Sequence, residues 1–162
     1  MTRALAAELP APLFELLDGR DLAQKEGETL LLLTVGEDGF PRIALLSVGE
    51  VLAVSPDELR LALWPASTTT SNLARTGRAT LAAFLGGTAY DVELLARQLP
   101  ELRTSRGHYA RFAAEVRSAR ADAVSYAELL GGVRFRLKDA PRVVAGWERT
   151  IEALREDAEG AG

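Results

Sequence analysis

Cysteine is absent from this 162-residue chain, and histidine occurs once, at His108. Without thiols there is no disulfide, no thiolate metal site and no cysteine nucleophile. One imidazole cannot build a multi-histidine metal centre or a metalloprotease helix. Long apolar runs are missing too. None reaches the ~18 residues of a membrane-crossing helix, so no membrane association is expected. An excess of basic charge is also lacking. The net charge is −4, which leaves no overall electrostatic footprint for nucleic acid. The opening "MTRALAAELPAPLFELLDGR" has acids and prolines where a secretory leader needs a clean apolar stretch. A cytoplasmic location is the expectation. What remains, 48% apolar and 26% charged residues, suits one domain with a single core.

Within residues 1–27, "PLFELLDG" from Pro12 places Leu13, Phe14, Leu16 and Leu17 on a helical face, and this N-terminal segment is expected to be helical. Thr29 to Val35 is nearly all apolar, as in a strand buried on both sides. "GEDGFP" is a hairpin turn, and Pro41 opens a second strand over 42–54, either continuous or broken near Gly49. Short turns of this kind make the first strands antiparallel. "LRLALW" (59–64) predicts a third strand, 69–76 a short helix closed by Gly77, and "RATLAAFLG" (78–86) a fourth strand. From Tyr90, apolar and polar residues alternate, which predicts a fifth strand with Asp91 and Glu93 on its wet face. "GHYARFAAEVRSARAD" has Tyr109, Phe112, Ala113 and Val116 at helical spacing and predicts a helix, with His108 as a surface or capping residue at its start. "VRFRLKD" (133–139) predicts a return to strand. Residues 140–158 carry Val143, Val144, Trp147, Ile151 and Leu154 on one stripe, a C-terminal helix with Asp139 as N-cap and Pro141 in its first turn. Trp147 is expected in the core or at a dimer contact. The fold class is α+β, an antiparallel barrel-like sheet with short flanking helices.

The unusual stretch follows Trp64. Ser67, Thr68, Thr69, Thr70, Ser71 and Asn72 form an unbroken polar run at the end of a strand and the start of a helix. A helix start leaves up to four N–H groups without partners, and one hydroxyl caps one of them. The run therefore either caps a helix or binds an anion. A helix N-terminus gathers N–H donors and positive partial charge, which suits a phosphate. Arg75 and Arg78 follow closely, and Arg42 lies on a neighbouring strand.

The order of "GEDGFPR" hairpin, long strand, "DELRLAL" strand, polar loop and "NLARTGRATLAAF" resembles the split-barrel flavoproteins of the pyridoxamine 5′-phosphate oxidase-like superfamily. In that family a strand runs into a loop ending "S-x-K-x-x-N-L", a short helix, and "R-V-x-L" on the next strand. This chain has Ser67 to Leu73 and then Arg78-Ala79-Thr80-Leu81. The resemblance covers roughly residues 28–100. It implies a single six-stranded split barrel spanning residues 1–162, a homodimer, and flavin mononucleotide (FMN) at the subunit interface. It also implies an FMN-dependent oxidoreductase acting on an unassigned small molecule.

Carried onto this sequence, the resemblance puts Ser67, Thr68, Thr69, Ser71 and Asn72 in the phosphate loop, with Asn72 either binding or holding the loop's shape. Arg42, from the strand reading, is the further candidate that would supply full positive charge to the phosphate. The resemblance sets residues 44–47, including Leu46 and Ser47, beside the isoalloxazine, and Leu63 and Trp64 at the strand end next to the ring. The chain departs from the family in two places. Thr68, Thr69 and Ser71 stand where many members have Lys or Arg. The Arg- and Trp-rich end with which pyridoxamine phosphate oxidases hold their substrate is lacking, so vitamin B6 synthesis is not implied. A split barrel without flavin, serving as a binding module, is the alternative. A deazaflavin or haem ligand is a further one.

Overall fold

A computed structural model of the chain describes residues 1–160. In chain order its elements are β1 (Thr2–Ala4), α1 (Ala11–Leu16), β2 (Thr29–Val35), β3 (Pro41–Ser47), β4 (Val51–Ser55), β5 (Glu58–Leu63), α2 (Thr68–Thr76), β6 (Arg78–Leu85), β7 (Thr88–Thr104), β8 (Gly107–Asp122) and α3 (Ala140–Gly160). A short 3-10 turn, Leu22–Lys25, lies between α1 and β2.

One antiparallel sheet runs β3-β2-β6-β7-β8-β5-β4, with β1 added to β8. It has eight strands where six are expected, and it does not close. The two ends of the order, β3 and β4, are consecutive in sequence yet do not pair. A turn at 48–50 separates them, held by the Glu50 amide on the Ser47 carbonyl at 3.2 Å. This is where the barrel is split.

Period-two burial builds the interior. Leu30 and Leu32 of β2, Leu59, Leu61 and Leu63 of β5, Leu81 of β6, and Phe112 of β8 are all buried. Each such side chain stabilises the fold by roughly 1.5–3 kcal/mol over an exposed one. Leu13 and Leu17 from α1 and the residue after it join this core. α3 covers β4 and β5 through Val144, Ile151 and Leu154, and Asp157 pins it to Arg111 of β8 at 2.8 Å.

Three expectations need correction. Residues 107–122 form a strand, not a helix. Ala110 to Ala114 are buried without a break, on both faces of the strand, so no period of two shows there and alanine's helix propensity dominates the local signal. β8 lies centrally and pairs with β7, β5 and β1, so ladder hydrogen bonds on both edges outweigh local preference. Residues 133–139 do not form a strand. They meet the chain just before β2, with Arg134 bridging Glu28, the Phe135 amide on the Gly27 carbonyl at 3.4 Å and the Val133 carbonyl accepting from Thr29 Oγ1. No ladder extends because that chain turns away, the Glu28 amide bonding back to the Lys25 carbonyl at 3.1 Å. Residues 1–27 are not simply helical, since Thr2–Ala4 pairs with β8.

On the outer face, Leu31 lies opposite Leu45 and Leu33 opposite Ile43. Ile43 and Leu45 are 65% and 55% exposed, which leaves an apolar strip on an edge strand. Farther along, Asp91 and Glu93 of β7 share Arg120 of β8 at 3.3 and 3.1 Å, the wet face expected for that strand. Among the described residues no helix is long and apolar enough to cross a membrane, and no His/Cys/Asp/Glu group could hold a metal.

Candidate functional site

β5 delivers Leu63 into the core, and the next residue, Trp64, leaves the sheet 63% exposed. The Trp64 carbonyl accepts two hydrogen bonds, from the Ser67 amide at 3.1 Å and the Thr70 hydroxyl at 2.7 Å. These turn the chain back into α2. Ser67 is the N-cap. Its Oγ accepts the Thr70 amide at 3.1 Å and donates to Thr70 Oγ1 at 3.0 Å. The Ser71 amide reaches the Ser67 carbonyl at 3.1 Å. Capping therefore consumes Ser67 and Thr70 only. The amides of Thr68 and Thr69 have no acceptor among the described residues, and the side chains of Thr68 and Ser71 are exposed. No acid stands in the first turn to compete with an anion. Gly77 ends the helix in the left-handed conformation, φ +63°.

The arginines around this corner are partly committed. Asn72 is buried, and its Nδ2 donates to Thr34 Oγ1 of β2 at 3.1 Å. Asn72 Oδ1 accepts from Arg75, which also donates to the Val35 carbonyl. Asn72 and Arg75 thus tie α2 to β2. Arg42 pairs across the ladder with Thr34 and so shares its sheet face. Its guanidinium grips Asp38 in the hairpin at 2.6 Å. The Phe40 amide and then Arg42 hold the Asp38 carboxyl below its ordinary range.

The other sequence-derived residues fall on two sides of the sheet. Leu46 and Leu63 are buried in the core, which closes their side chains to a ligand. Ser47 and Trp64 instead line a cleft of about 660 Å³ that opens at the split between β3 and β4 and runs under α3. Trp64 meets Tyr109 of β8 at a centroid distance of 5.4 Å and an interplanar angle of 50°. Trp147 of α3 lies on Gly49, where a Cβ would come within 2.0 Å of its ring. Arg106, at the β7–β8 hairpin, passes over Gly146, where a Cβ would come within 3.0 Å of Nη1. His108, beside it, is exposed, with Nε2 3.7 Å from Glu101.

Sequence reasoning missed Glu50, Arg106 and Arg142, all of which line this cleft. Glu50 Oε2 accepts the Ser47 amide at 2.6 Å and the Ser47 hydroxyl at 2.8 Å. Burial pushes its carboxyl above the ordinary value, against the pull of those two bonds. The signal was the S-x-x-E spacing of Ser47 and Glu50, which lets a carboxylate reach back to the serine amide even though no helix follows.

No protein-family model matches the chain. Among curated proteins, the uncharacterized protein YclD of Bacillus subtilis is 41% identical over 143 residues, 88% of this chain and 93% of YclD. Among solved structures, a candidate pyridoxamine 5′-phosphate oxidase from Lactobacillus delbrueckii superposes with a TM-score of 0.57 at 16% identity, covering 72% of this chain and 98% of its own. HupZ of Group A Streptococcus gives 0.53 at 12% identity, with 70% and 99% covered. An F420 reductase gives 0.52 at 11% identity, with 68% and 98% covered. The chain therefore belongs to the family of YclD, and its fold is the split barrel of the pyridoxamine 5′-phosphate oxidase-like proteins.

Proposed function

We propose that the protein is a homodimeric flavoprotein that holds FMN at the start of α2 and serves as an oxidoreductase. The observation that carries this reading is the first turn of α2, where the Thr68 and Thr69 amides lack acceptors beside exposed hydroxyls. A phosphate there would meet N–H donors, the helix dipole and the Thr68 and Ser71 hydroxyls. Arg42, on the same sheet face as Asn72's partner Thr34, would supply full charge once released from Asp38. The ring would lie against β3 at residues 44–47 and against Trp64. Bound FMN would supply hydride and electron transfer, while the chain binds and orients it. The exposed Leu45 and Ile43 strip would form the dimer contact.

The test is flavin absorbance and fluorescence released on denaturing purified protein, together with thermal melts in added FMN. Saturation at one hundred times Kd raises stability by ~2.7 kcal/mol. For a domain of this size that is a melting shift of roughly 5–10 °C. A colourless protein with no shift rejects the proposal. It would favour the second reading, a split barrel that works as a binding module without flavin. That reading draws on the phosphate loop having no basic side chain and on Arg75 being spent on Val35 and Asn72. Melts with a deazaflavin test the third option, suggested by the F420 reductase that shares the fold.

A further inference from the structure

The cleft at the barrel split is unlike the α2 corner. Its walls are aromatic, its rim is cationic, and a carboxylate lies deeper in it. Trp64, Tyr109 and Trp147 supply flat apolar surface. Arg106 and Arg142 are exposed, line the same cleft, and have no acid partner among the described residues. Glu50 is half-buried, and only its Oε2 is engaged, leaving Oε1 without a donor. The volume, about 660 Å³, falls in the range of small-molecule sites. Two glycines make the cleft possible. Gly49 leaves space for the Trp147 ring, and Gly146 leaves space for the Arg106 side chain.

From this arrangement we infer that the cleft binds a small aromatic carboxylate, its ring among Trp64, Tyr109 and Trp147 and its carboxylate on Arg106 and Arg142. Guanidinium forks suit a carboxylate's two oxygens. The orientation follows from charge, because a carboxylate turned inward would meet Glu50 instead of the arginines. A ring hydroxyl pointing inward would donate to Glu50 Oε1, so hydroxybenzoates should bind better than benzoate. Binding does not depend on flavin. The cleft's role as a substrate site does rest on the flavin reading, since Ser47 and Trp64 are shared by the cleft and the proposed ring position.

The chain has only two tryptophans, Trp64 and Trp147, and both line the cleft, so intrinsic fluorescence reports on it directly. The experiment titrates the full-length protein with benzoate, 4-hydroxybenzoate, benzyl alcohol and butyrate, with and without added FMN. Saturable quenching by the two benzoates is expected, with 4-hydroxybenzoate the tighter. Benzyl alcohol and butyrate should bind roughly tenfold or more weaker, because each lacks either the charge or the ring. The double variant Arg106→Gln/Arg142→Gln should lose benzoate affinity by a similar factor, and Glu50→Gln should narrow the advantage of 4-hydroxybenzoate. Absence of saturable binding overturns the inference, as does unchanged benzoate affinity in a double variant that melts like the wild type. Should that variant melt early, equal wild-type affinity for benzoate and benzyl alcohol overturns it by itself. A protein that takes up no FMN but binds benzoates keeps this inference and rejects the flavin reading; FMN uptake without benzoate binding does the reverse.

Discussion

Replacing Gly49 by alanine tests how α3 is seated on the barrel. A Cβ at this position would lie 2.0 Å from Trp147 Cγ and 2.1 Å from Cδ1. Carbon atoms need ~3.5–4.0 Å, so the ring must move by more than an ångström. Trp147 sits on α3 between the buried Val144 and Ile151, so the displacement strains the helix seat as well as one side chain. Losing about 100–150 Å² of indole contact at ~25 cal/mol/Å² costs roughly 2.5–4 kcal/mol, and if the helix shifts to absorb part of the clash the cost falls toward 2. The assay is urea denaturation followed by circular dichroism, with tryptophan emission recorded on the native state. Gly49→Ala should lower the unfolding free energy by about 2–4 kcal/mol and shift emission to the red as Trp147 becomes wetter. The control is the same change in a Trp147→Gly background, which removes both the ring and the Trp147 Cβ that would lie 2.5 Å away, and there the added cost should drop below ~0.5 kcal/mol. Gly49→Ala with wild-type stability and emission would refute the packing argument, as would an equal cost in both backgrounds.

Asn72→Ala should destabilise by roughly 1–3 kcal/mol in the same assay, since it strands the buried Thr34 hydroxyl and frees Arg75. Asn72→Asp should be milder, because it can still accept from Arg75. The pH dependence has two opposed parts. Burial raises the Glu50 carboxyl above its ordinary 4.5, so the folded state binds that proton more tightly than the unfolded state does. Its contribution is full below 4.5 and is lost as pH rises through the raised folded value; Glu50→Gln should flatten that part of a stability–pH curve. Asp18 behaves the other way. Burial raises its carboxyl, but the bonds from Lys25 and the Arg20 amide outweigh that and hold it below its ordinary 3.8. Its contribution is present above 3.8 and is lost as pH falls through the lowered value, so Asp18→Asn should lower stability above 3.8, flatten the acid limb and converge on the wild type at lower pH. Finally, Ile43→Lys with Leu45→Lys should convert a dimer to a monomer in light scattering with little loss of monomer secondary structure, because both side chains already face outward. An unchanged mass would remove this strip from the proposed dimer contact.

Much of the architecture is written in short-range chemistry. The "GEDGFP" turn, the leucines of Thr29–Val35, the Ser67 cap and the Gly77 stop each act within a few residues, so β2, β3, β5, α2 and β6 were legible without coordinates. The stripe of α3 was equally local. The sequence by itself therefore determined the α+β class, the hairpin, the hydroxyl corner and the last helix. Tertiary structure alone decided the rest. Residues 107–122 are strand because β7, β5 and β1 offer their edges, and no window of alanines and arginines records that offer. Residues 133–139 have strand-like alternation but meet only the turn before β2, where a ladder cannot extend. The cleft gathers Glu50, Trp64, Arg106 and Trp147 from positions spread over about a hundred residues. Each looks like an ordinary turn, surface or core residue in sequence, and only the packing of α3 across the barrel split places aromatic rings, arginines and a half-buried carboxylate around one space.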